Sequence, residues 1–267
     1  MSFRLIINAD DFGWDAPATA AILDLATHGS LTSTTVLANW SSEADLAALS
    51  QIKHLISIGY HLNLIDGPPV APAAAVPSLL GPDGHFRPAR QQWLRYLAGR
   101  LRPNEIDIEL KAQIGRLRDH HLPLSHADAH QHLHLYPLLG PALTAALGRL
   151  GIKRLRRWTS QPSYGHRGRI LNAFSYLSAG GLRGFATPDA LVADFSAAQA
   201  ATLPLFAQGL ARARRHGPTS EFMSHPGLAD KPGSYLARRA EYEFWRNDEW
   251  QEYLREQGGQ LARFDEV

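Results

Sequence analysis

Five side chains that commonly bind metal ions occupy every second position of one short segment. They are His126, Asp128, His130, His132 and His134. In an extended chain alternate side chains point to the same face, so all five would share one side. In a helix His126, His130 and His134 would also share a face, because they are four residues apart. Imidazoles bind zinc-like cations, and the nearby Asp128 carboxylate can bind the metal or orient a histidine.

The residues flanking this segment favour the end of a β-strand. Leu122-Pro123-Leu124-Ser125 is typical of a short buried strand, and the apolar pattern that begins after Pro137 is typical of a helix. In barrels of alternating strands and helices, the residues that follow the strands carry the chemistry. The segment is therefore predicted to lie where a strand ends and a loop begins.

Two adjacent aspartates follow the first predicted strand, Leu5-Ile6-Ile7. Successive residues point in different directions, so one of Asp10 and Asp11 can bind a metal while the other reaches a water molecule on it. The alternative role is to cap a helix. Asp15, which precedes Ala16-Pro17, suits that role better. We therefore interpret Asp10 and Asp11 as functional residues.

Two single histidines also end predicted strands. His61 lies late in a strand predicted at 56–64, and His225 ends a strand at 221–224 and precedes Pro226-Gly227. A lone histidine is more often a hydrogen-bonded structural residue than a ligand. The ends of several parallel strands can nevertheless meet in one pocket if the chain winds as a barrel or an open α/β sheet.

The remaining pattern alternates between predicted strands and helices over residues 1–267, which favours a single α/β barrel domain. Further strands are predicted at 31–38, 152–156 and 191–193, and helices at 16–28, 42–49, twice within 91–121, after 137, and at 169–182, 198–216 and 235–257. A proline-rich loop insertion at about 66–90 leaves the strand that holds His61. It is interpreted as a wall of the site or a lid over it, and a variable surface segment is the alternative.

Composition restricts the class of protein. The 267 residues are 45% hydrophobic and carry 27 basic and 25 acidic side chains, so the charge gives no argument for nucleic-acid binding. The chain has no cysteine, so any metal must be bound through nitrogen and oxygen. We find no secretory or membrane-spanning segment, so a cytoplasmic, non-integral protein is the expectation.

Four motifs in this order resemble the YdjC family of carbohydrate deacetylases, which includes chitooligosaccharide deacetylases and the HpnK-like proteins of hopanoid biosynthesis. The motifs are Asn8-Ala9-Asp10-Asp11-Phe12-Gly13, Thr32-Ser33-Thr34, Gly59-Tyr60-His61-Leu62 and the alternating segment 126–134. The resemblance covers about residues 3–157, and His225-Pro226-Gly227 is similar to a later family motif.

The resemblance implies a distorted (β/α) barrel, commonly with seven strands, and one divalent metal ion: zinc or magnesium first, with manganese or cobalt as alternatives. It implies that Asp11, His61 and His130 bind the metal, that Asp10 is the general base and that His225 is the general acid. The substrate would be an N-acetylated mono- or oligosaccharide, with a lipid-linked form and a homodimer left open. Asp128 and His132 are expected either to orient the metal ligands or to contact substrate, and Trp14 and Arg156 are further candidates for substrate contact.

Two other functions remain open at this point. A metal-dependent phosphoesterase would use the same Asp and His ligands, with help from the arginines at 154, 156 and 157. A carbohydrate-binding protein without catalysis is disfavoured because the motif residues at positions 10, 11, 61 and 130 are all present.

Overall fold

The computed structural model describes residues 3–161, 165–196, 201–231 and 233–267. Within these ranges, seven parallel strands form one curled sheet with nine α-helices around it. The strands are β1 (Phe3–Phe12), β2 (Ser33–Val36), β3 (Ser57–Leu62), β4 (Leu124–Ala129), β5 (Ala190–Val192), β6 (Thr219–Ser224) and β7 (Gly259–Leu261). The helices are α1 (Ala16–His28), α2 (Glu43–Ile52), α3 (Ala89–Leu97), α4 (Pro103–Asp119), α5 (Leu139–Arg149), α6 (Gly165–Ser178), α7 (Leu203–Ala213), α8 (Arg238–Arg246) and α9 (Glu249–Glu256).

The strands follow the order β4-β3-β2-β1-β6-β5, and β7 pairs with the beginning of β1. Beyond β4, single-residue bridges join Leu155 to Ala127 and Arg154 to Ala186, which continues the curl of the sheet. Seven parallel strands in a curled half-barrel with surrounding helices confirm the predicted α/β barrel class. All carboxyl ends of parallel strands point to one edge, where the predicted site residues lie.

Several element predictions needed correction. Residues 152–156 form the two bridges rather than a strand, because the segment pairs at one residue on each side. The single helix predicted at 235–257 is two helices, since Asn247 is extended and its side chain accepts a hydrogen bond from the Glu249 N–H at 2.9 Å. Strand β7 was not predicted. The helix predicted at 198–216 is observed from Leu203, and residues 197–200 lie outside the described ranges.

The core anchors the elements that reach the site. Leu5, Ile6 and Ile7 of β1 are fully buried, as expected for a strand covered on both faces. On α8, Trp245 is also fully buried and packs against Trp250, with ring centroids 5.0 Å apart. Truncating such a side chain costs about 3–5 kcal/mol. This packing therefore fixes α8 firmly against the sheet.

The loop insertion packs beside the barrel. Its backbone N–H groups at Val70 and Ala71 donate to the Glu109 carboxylate of α4, each at 2.9 Å. Of residues 66–90, all of which are described, Asp66 lines the cavity identified below and the others do not. The insertion therefore contributes Asp66 to the cavity wall, as the wall interpretation expects, and no residue from 67 to 90 covers the cavity as a lid would. None of the helices in the described ranges has the length and apolar composition that a membrane crossing requires.

Candidate metal centre and active site

The two aspartates lie at an irregularity in β1. The pairing of β1 with β2 shifts register between Ala9 and Phe12, and Asp11 has a φ of 66°, in the left-handed region. A regular strand would direct Asp10 and Asp11 to opposite faces. The irregularity instead leaves both carboxylates buried at the carboxyl edge of the sheet, and both line the same cavity. Backbone strain of this kind concentrates at functional sites.

Three donor atoms converge beside these aspartates. Asp11 Oδ1 lies 3.0 Å from His130 Nδ1 and 3.3 Å from His61 Nε2, and the two ring nitrogens are 3.4 Å apart. Ligands about 2.0–2.1 Å from a tetrahedral zinc ion are about 3.3 Å from each other. All three residues are buried. The donor set and its spacing therefore fit a divalent metal ion with three protein ligands.

Asp128 orients one of these donors. Its Oδ1 accepts a hydrogen bond from His61 Nδ1 at 2.5 Å, which leaves Nε2 of the ring facing Asp11. Burial lowers the pKa of His61, but the Asp128 and Asp11 carboxylates outweigh burial and raise it to about 10. A proton on His61 thus balances the local negative charge, and a metal cation would replace that proton. Carboxylates in this arrangement commonly fix metal-binding histidines.

Arg156 lies among three carboxylates beneath the centre. It donates to both oxygens of Asp10, at 2.7 and 2.6 Å, and also pairs with Asp128 at 2.8 Å and Glu221 at 2.6 Å. Burial opposes ionisation of Asp10, but Arg156 outweighs it and lowers the pKa to about 2. Burial raises the pKa of Glu221 to about 7 despite the same guanidinium.

These contacts change two sequence-based expectations. Asp128 and Arg156 are 0% and 1% exposed, and neither lines the cavity. The predicted contact of both residues with substrate is therefore not supported. Asp128 instead holds His61 in place, and Arg156 holds Asp10.

A second Asp/His group, Asp10 with His61 and Asp128, is also compact enough for a metal. Arg156 already pairs with both of its carboxylates, so the group around Asp11 fits a cation better.

His225 faces the same centre from β6. Its Nε2 is 3.9 Å from Asp10 Oδ2 and 4.0 Å from Asp11 Oδ2, while its Nδ1 is hydrogen-bonded to Ser196 Oγ at 2.6 Å. Burial lowers the pKa of His225 to about 4, against the opposing effect of the two aspartates. The ring is thus neutral at pH 7, with one nitrogen directed at the centre.

A cavity of about 340 Å³ opens above these groups. Besides Asp10, Asp11, His61, His130 and His225, its lining includes Trp14, His132, Arg167, Lys231 and Tyr235. Both Trp14 and His132 thus lie where substrate contact was predicted. The Trp14 ring, however, is also covered by cations: Lys231 Nζ lies 3.8 Å and the Arg238 guanidinium 4.6 Å from its centroid.

The histidine-rich segment is divided between two conformations. Strand β4 holds His126 and Asp128, and an irregular turn at 130–135 follows, in which Gln131 and His132 have φ values of 49° and 60°. His126 stacks on Phe264, with centroids 3.8 Å apart, and belongs to the core. Neither the extended nor the helical pattern holds for the whole segment. His130, directly after β4, lies beside Asp11, and the left-handed residues come after it.

Helix α8 supplies two residues that the sequence analysis missed. Arg238 Nη2 donates to Asp11 Oδ2 at 2.6 Å, and Glu241 accepts hydrogen bonds from Ser196 and from the His225 N–H. Both side chains are nearly fully buried. The available signal was that Arg238, Glu241 and Trp245 recur at helical spacing, which places two charges on the buried face of the helix.

The fold and this centre define a curled α/β barrel with a buried Asp/His group at the carboxyl edge of its sheet. The sequence pattern of YdjC-like proteins matches residues 4–256, and the chain belongs to that family.

Named relatives agree with this placement. A carbohydrate deacetylase of Brevibacillus brevis (strain 47) is 34% identical over 138 residues, which is 52% of this chain and 53% of that protein, so the match spans about half the length of that relative. A chitooligosaccharide deacetylase of Serratia marcescens is 32% identical over 233 residues, 86% of this chain and 84% of that protein. A solved Enterococcus faecalis V583 protein, whose description refers to cellobiose-phosphate cleavage, has a TM-score of 0.80 at 24% identity and covers 100% of this chain and 99% of its own. That likeness shows the same fold.

Proposed function

We propose that this protein is a metal-dependent hydrolase that removes the acetyl group from an N-acetylated sugar. The observation that carries the proposal is the convergence of Asp11, His61 and His130 at the base of an open cavity, with Asp10 and His225 beside them. The names of the family relatives, carbohydrate and chitooligosaccharide deacetylase, support the same reaction class.

A divalent cation held by Asp11, His61 and His130 would polarise the amide carbonyl and lower the pKa of the attacking water. Two of the three donors are imidazole nitrogens. Imidazole suits zinc and similar transition metals, whereas magnesium prefers oxygen ligands. Between the two metals favoured from the sequence, the donor set therefore supports zinc.

Asp10 and His225 form the path for the proton. Their low pKa values, about 2 and about 4, leave both groups unprotonated at neutral pH. As the water oxygen bonds to the carbonyl carbon, Asp10 accepts the released proton. Asp10 then passes this proton to His225 Nε2, which lies 3.9 Å from Asp10 Oδ2, and Nε2 delivers it to the amide nitrogen as the C–N bond breaks. The products are acetate and an amino sugar.

The cavity rim suits a saccharide. Tyr235 is 59% exposed and lines the cavity, so its ring offers a flat surface for a sugar. His132 lines the same cavity and is the other candidate contact. These features do not distinguish a free sugar from a lipid-linked one, so both belong in the substrate panel.

No described contact favours the phosphoesterase alternative. Arg154 donates to the backbone oxygens of Asp265 and Val267, at 2.8 and 3.0 Å, and Arg156 is enclosed by carboxylates. Arg154 and Arg156, two of the three arginines that were expected to help bind a phosphate, are therefore directed elsewhere, and Arg157 lines a different cavity.

The test is acetate release by metal-stripped protein after addition of zinc, cobalt, manganese or magnesium, with N-acetylated oligosaccharides and a lipid-linked analogue as substrates. Phosphate release from a model phosphoester is measured in parallel. We expect metal-dependent acetate release that is lost in Asp11→Ala and Asp10→Asn and kept in the exposed control Asp83→Asn. Phosphate release without acetate release would contradict the proposal.

A further inference from the structure

Behind His225, a chain of short hydrogen bonds leads away from the metal centre. His225 Nδ1 contacts Ser196 Oγ at 2.6 Å, and Ser196 Oγ contacts Glu241 Oε1, also at 2.6 Å. Ser196 is fully buried and Glu241 is 2% exposed. The reaction path from Asp10 to His225 uses neither residue, yet Ser196 contacts Nδ1, the ring nitrogen that faces away from the centre, and Glu241 contacts Ser196.

The second oxygen of Glu241 is already saturated. Oε2 accepts from the His225 backbone N–H at 2.8 Å and from Ser224 Oγ at 2.6 Å. Ser224 must donate there, because its own oxygen accepts from Trp245 Nε1 at 2.6 Å. A proton on Glu241 therefore has one place to reside, which is Oε1, facing Ser196.

A serine hydroxyl carries one proton, so the chain has two polarities. If Glu241 is ionised, Ser196 donates to Oε1 and must accept from Nδ1–H, which leaves Nε2 of His225 as an acceptor. If Oε1 carries a proton, Ser196 accepts it and donates to Nδ1, which makes Nε2 the protonated nitrogen. The state of Glu241 thus selects the tautomer of the ring.

We propose that Ser196 and Glu241 form a proton relay behind His225, in which the proton on Glu241 Oε1 determines whether Nε2 accepts or donates. When Nε2 takes up a proton, the Nδ1 proton passes to Ser196 Oγ and the Ser196 proton passes to Oε1. The reverse transfer restores the chain as Nε2 protonates the leaving amine. Each step breaks and forms one O–H or N–H bond, so the proton count is conserved.

The electrostatic environment is consistent with a group that gains and loses a proton. Burial raises the pKa of Glu241 to about 7, against hydrogen bonds from Ser196, Ser224 and the His225 N–H. Arg238, one turn earlier on α8, and the backbone N–H of His225, directly after β6, both favour the ionised form of Glu241. Ser196 and Glu241 act through His225 and are positioning residues.

The substitution Glu241→Gln tests the relay directly. The amide oxygen must occupy the Oε2 position, because two donors point there, so the amide NH₂ must face Ser196. Ser196 then has to donate to Nδ1 permanently, which fixes the Nε2–H tautomer of His225. We expect ¹⁵N-histidine NMR of zinc-loaded protein at pH 8.5 to show Nδ1–H in the wild type and Nε2–H in Glu241→Gln, with His225→Asn used to assign the resonance.

The inference rests on the proposed deacetylase function, but the NMR result does not require turnover. If the wild type releases no acetate, the proposed function fails while the tautomer change still tests the relay. With an active wild type, we expect kcat to fall about 100-fold in Glu241→Gln and in Ser196→Ala, the usual scale of acid–base assistance. The limb of the kcat–pH profile near pH 7 should also disappear in both variants.

Glu243→Gln is the matched control, because Glu243 lies on the same helix and forms an exposed pair with Arg239 at 2.9 Å. It should keep the wild-type tautomer and pH profile. The relay is refuted if folded Glu241→Gln keeps the Nδ1–H tautomer, or if Ser196→Ala retains the wild-type pH profile.

Discussion

Replacing Asp128 with asparagine should weaken metal binding without a change in side-chain shape. Asp128 Oδ1 accepts from His61 Nδ1 at 2.5 Å, and Oδ2 accepts from Arg156 Nη1 at 2.8 Å and from Thr35 Oγ1 at 3.1 Å. Asparagine offers one oxygen and one NH₂ group in place of the two oxygens. Arg156 has no acceptor, so the asparagine oxygen must face it and the NH₂ group must face His61.

The consequence for the metal follows from the histidine tautomer. With a donor facing Nδ1, the His61 proton moves to Nε2, the nitrogen that points at Asp11 and the metal position. Restoring the ligating tautomer would set two N–H groups against each other. Loss of an orienting carboxylate typically costs 10–100-fold in metal affinity. That corresponds to about 1.4–2.8 kcal/mol of binding free energy.

The assay is competition for zinc between the protein and a chromophoric chelator at pH 7.5, with wild type, Asp128→Asn and the exposed control Asp119→Asn. We expect the affinity of Asp128→Asn to fall about 10–100-fold and that of the control to match the wild type. Circular dichroism checks that each variant is folded. A folded Asp128→Asn protein that binds zinc within about threefold of the wild type would refute the assigned tautomer and the role of His61 Nε2.

Three further predictions concern the surrounding charges and the cavity wall. Arg156→Met removes the guanidinium that pairs with three buried carboxylates, so urea unfolding should show a loss of about 3–5 kcal/mol at pH 8. The loss should shrink towards pH 5 as those carboxyls bind protons, and an equal loss at both pH values would contradict this reading. The folded-state pKa of Glu221 is raised from 4.5 to about 7, so the wild type loses stability as the pH rises through that interval. Glu221→Gln does not ionise and should therefore gain melting temperature relative to the wild type more at pH 8 than at pH 5; the opposite order would refute the shift. Trp14→Ala should raise KM for the saccharide and, by removing the ring contacts of Lys231 and Arg238, lower the melting temperature by about 2–8 °C. Trp14→Phe should recover part of both effects, and an unchanged KM in Trp14→Ala would exclude a substrate contact.

Local sequence patterns predicted many of the helices and strands. Helix α1 was predicted with its observed bounds because Asp15 caps it and Gly29 ends it in a left-handed conformation. The positions of β1, β3 and β6 followed from short apolar runs with polar residues at their ends. These signals depend on neighbouring residues only, so they predict helices and strands without knowledge of the tertiary structure.

The parts that failed depend on tertiary contacts. Whether residues 152–156 form a strand depends on how far they pair with β4 and with Ala186, which the sequence does not encode locally. Arg156 was expected at the substrate because it belongs to the basic cluster at 154–157, and Asp128 was expected either to orient a ligand or to contact substrate. Both are buried because the carboxylates of Asp10, Asp128 and Glu221 surround the Arg156 guanidinium, an arrangement of residues that are distant in the sequence.

The histidine-rich segment 126–134 shows the same limit of prediction from local sequence. Its alternation is compatible with a shared face, but the left-handed backbone of Gln131 and His132 breaks the pattern after His130. Periodicity therefore indicated a metal-binding segment without selecting the ligand. The ligand is identified by the tertiary contact, in which His130 Nδ1 lies 3.0 Å from Asp11 on β1.

The central claim is that one metal ion, held by Asp11, His61 and His130, supports deacetylation. The most direct test is the rate of acetate release from an N-acetylated oligosaccharide as zinc is added stepwise to metal-stripped protein. We expect the rate to rise in proportion to added zinc and to reach its plateau at about one ion per chain, the number a single three-ligand site binds, while Asp11→Ala stays inactive throughout. Full acetate release by the stripped protein, or equal zinc activation of Asp11→Ala, would contradict the account.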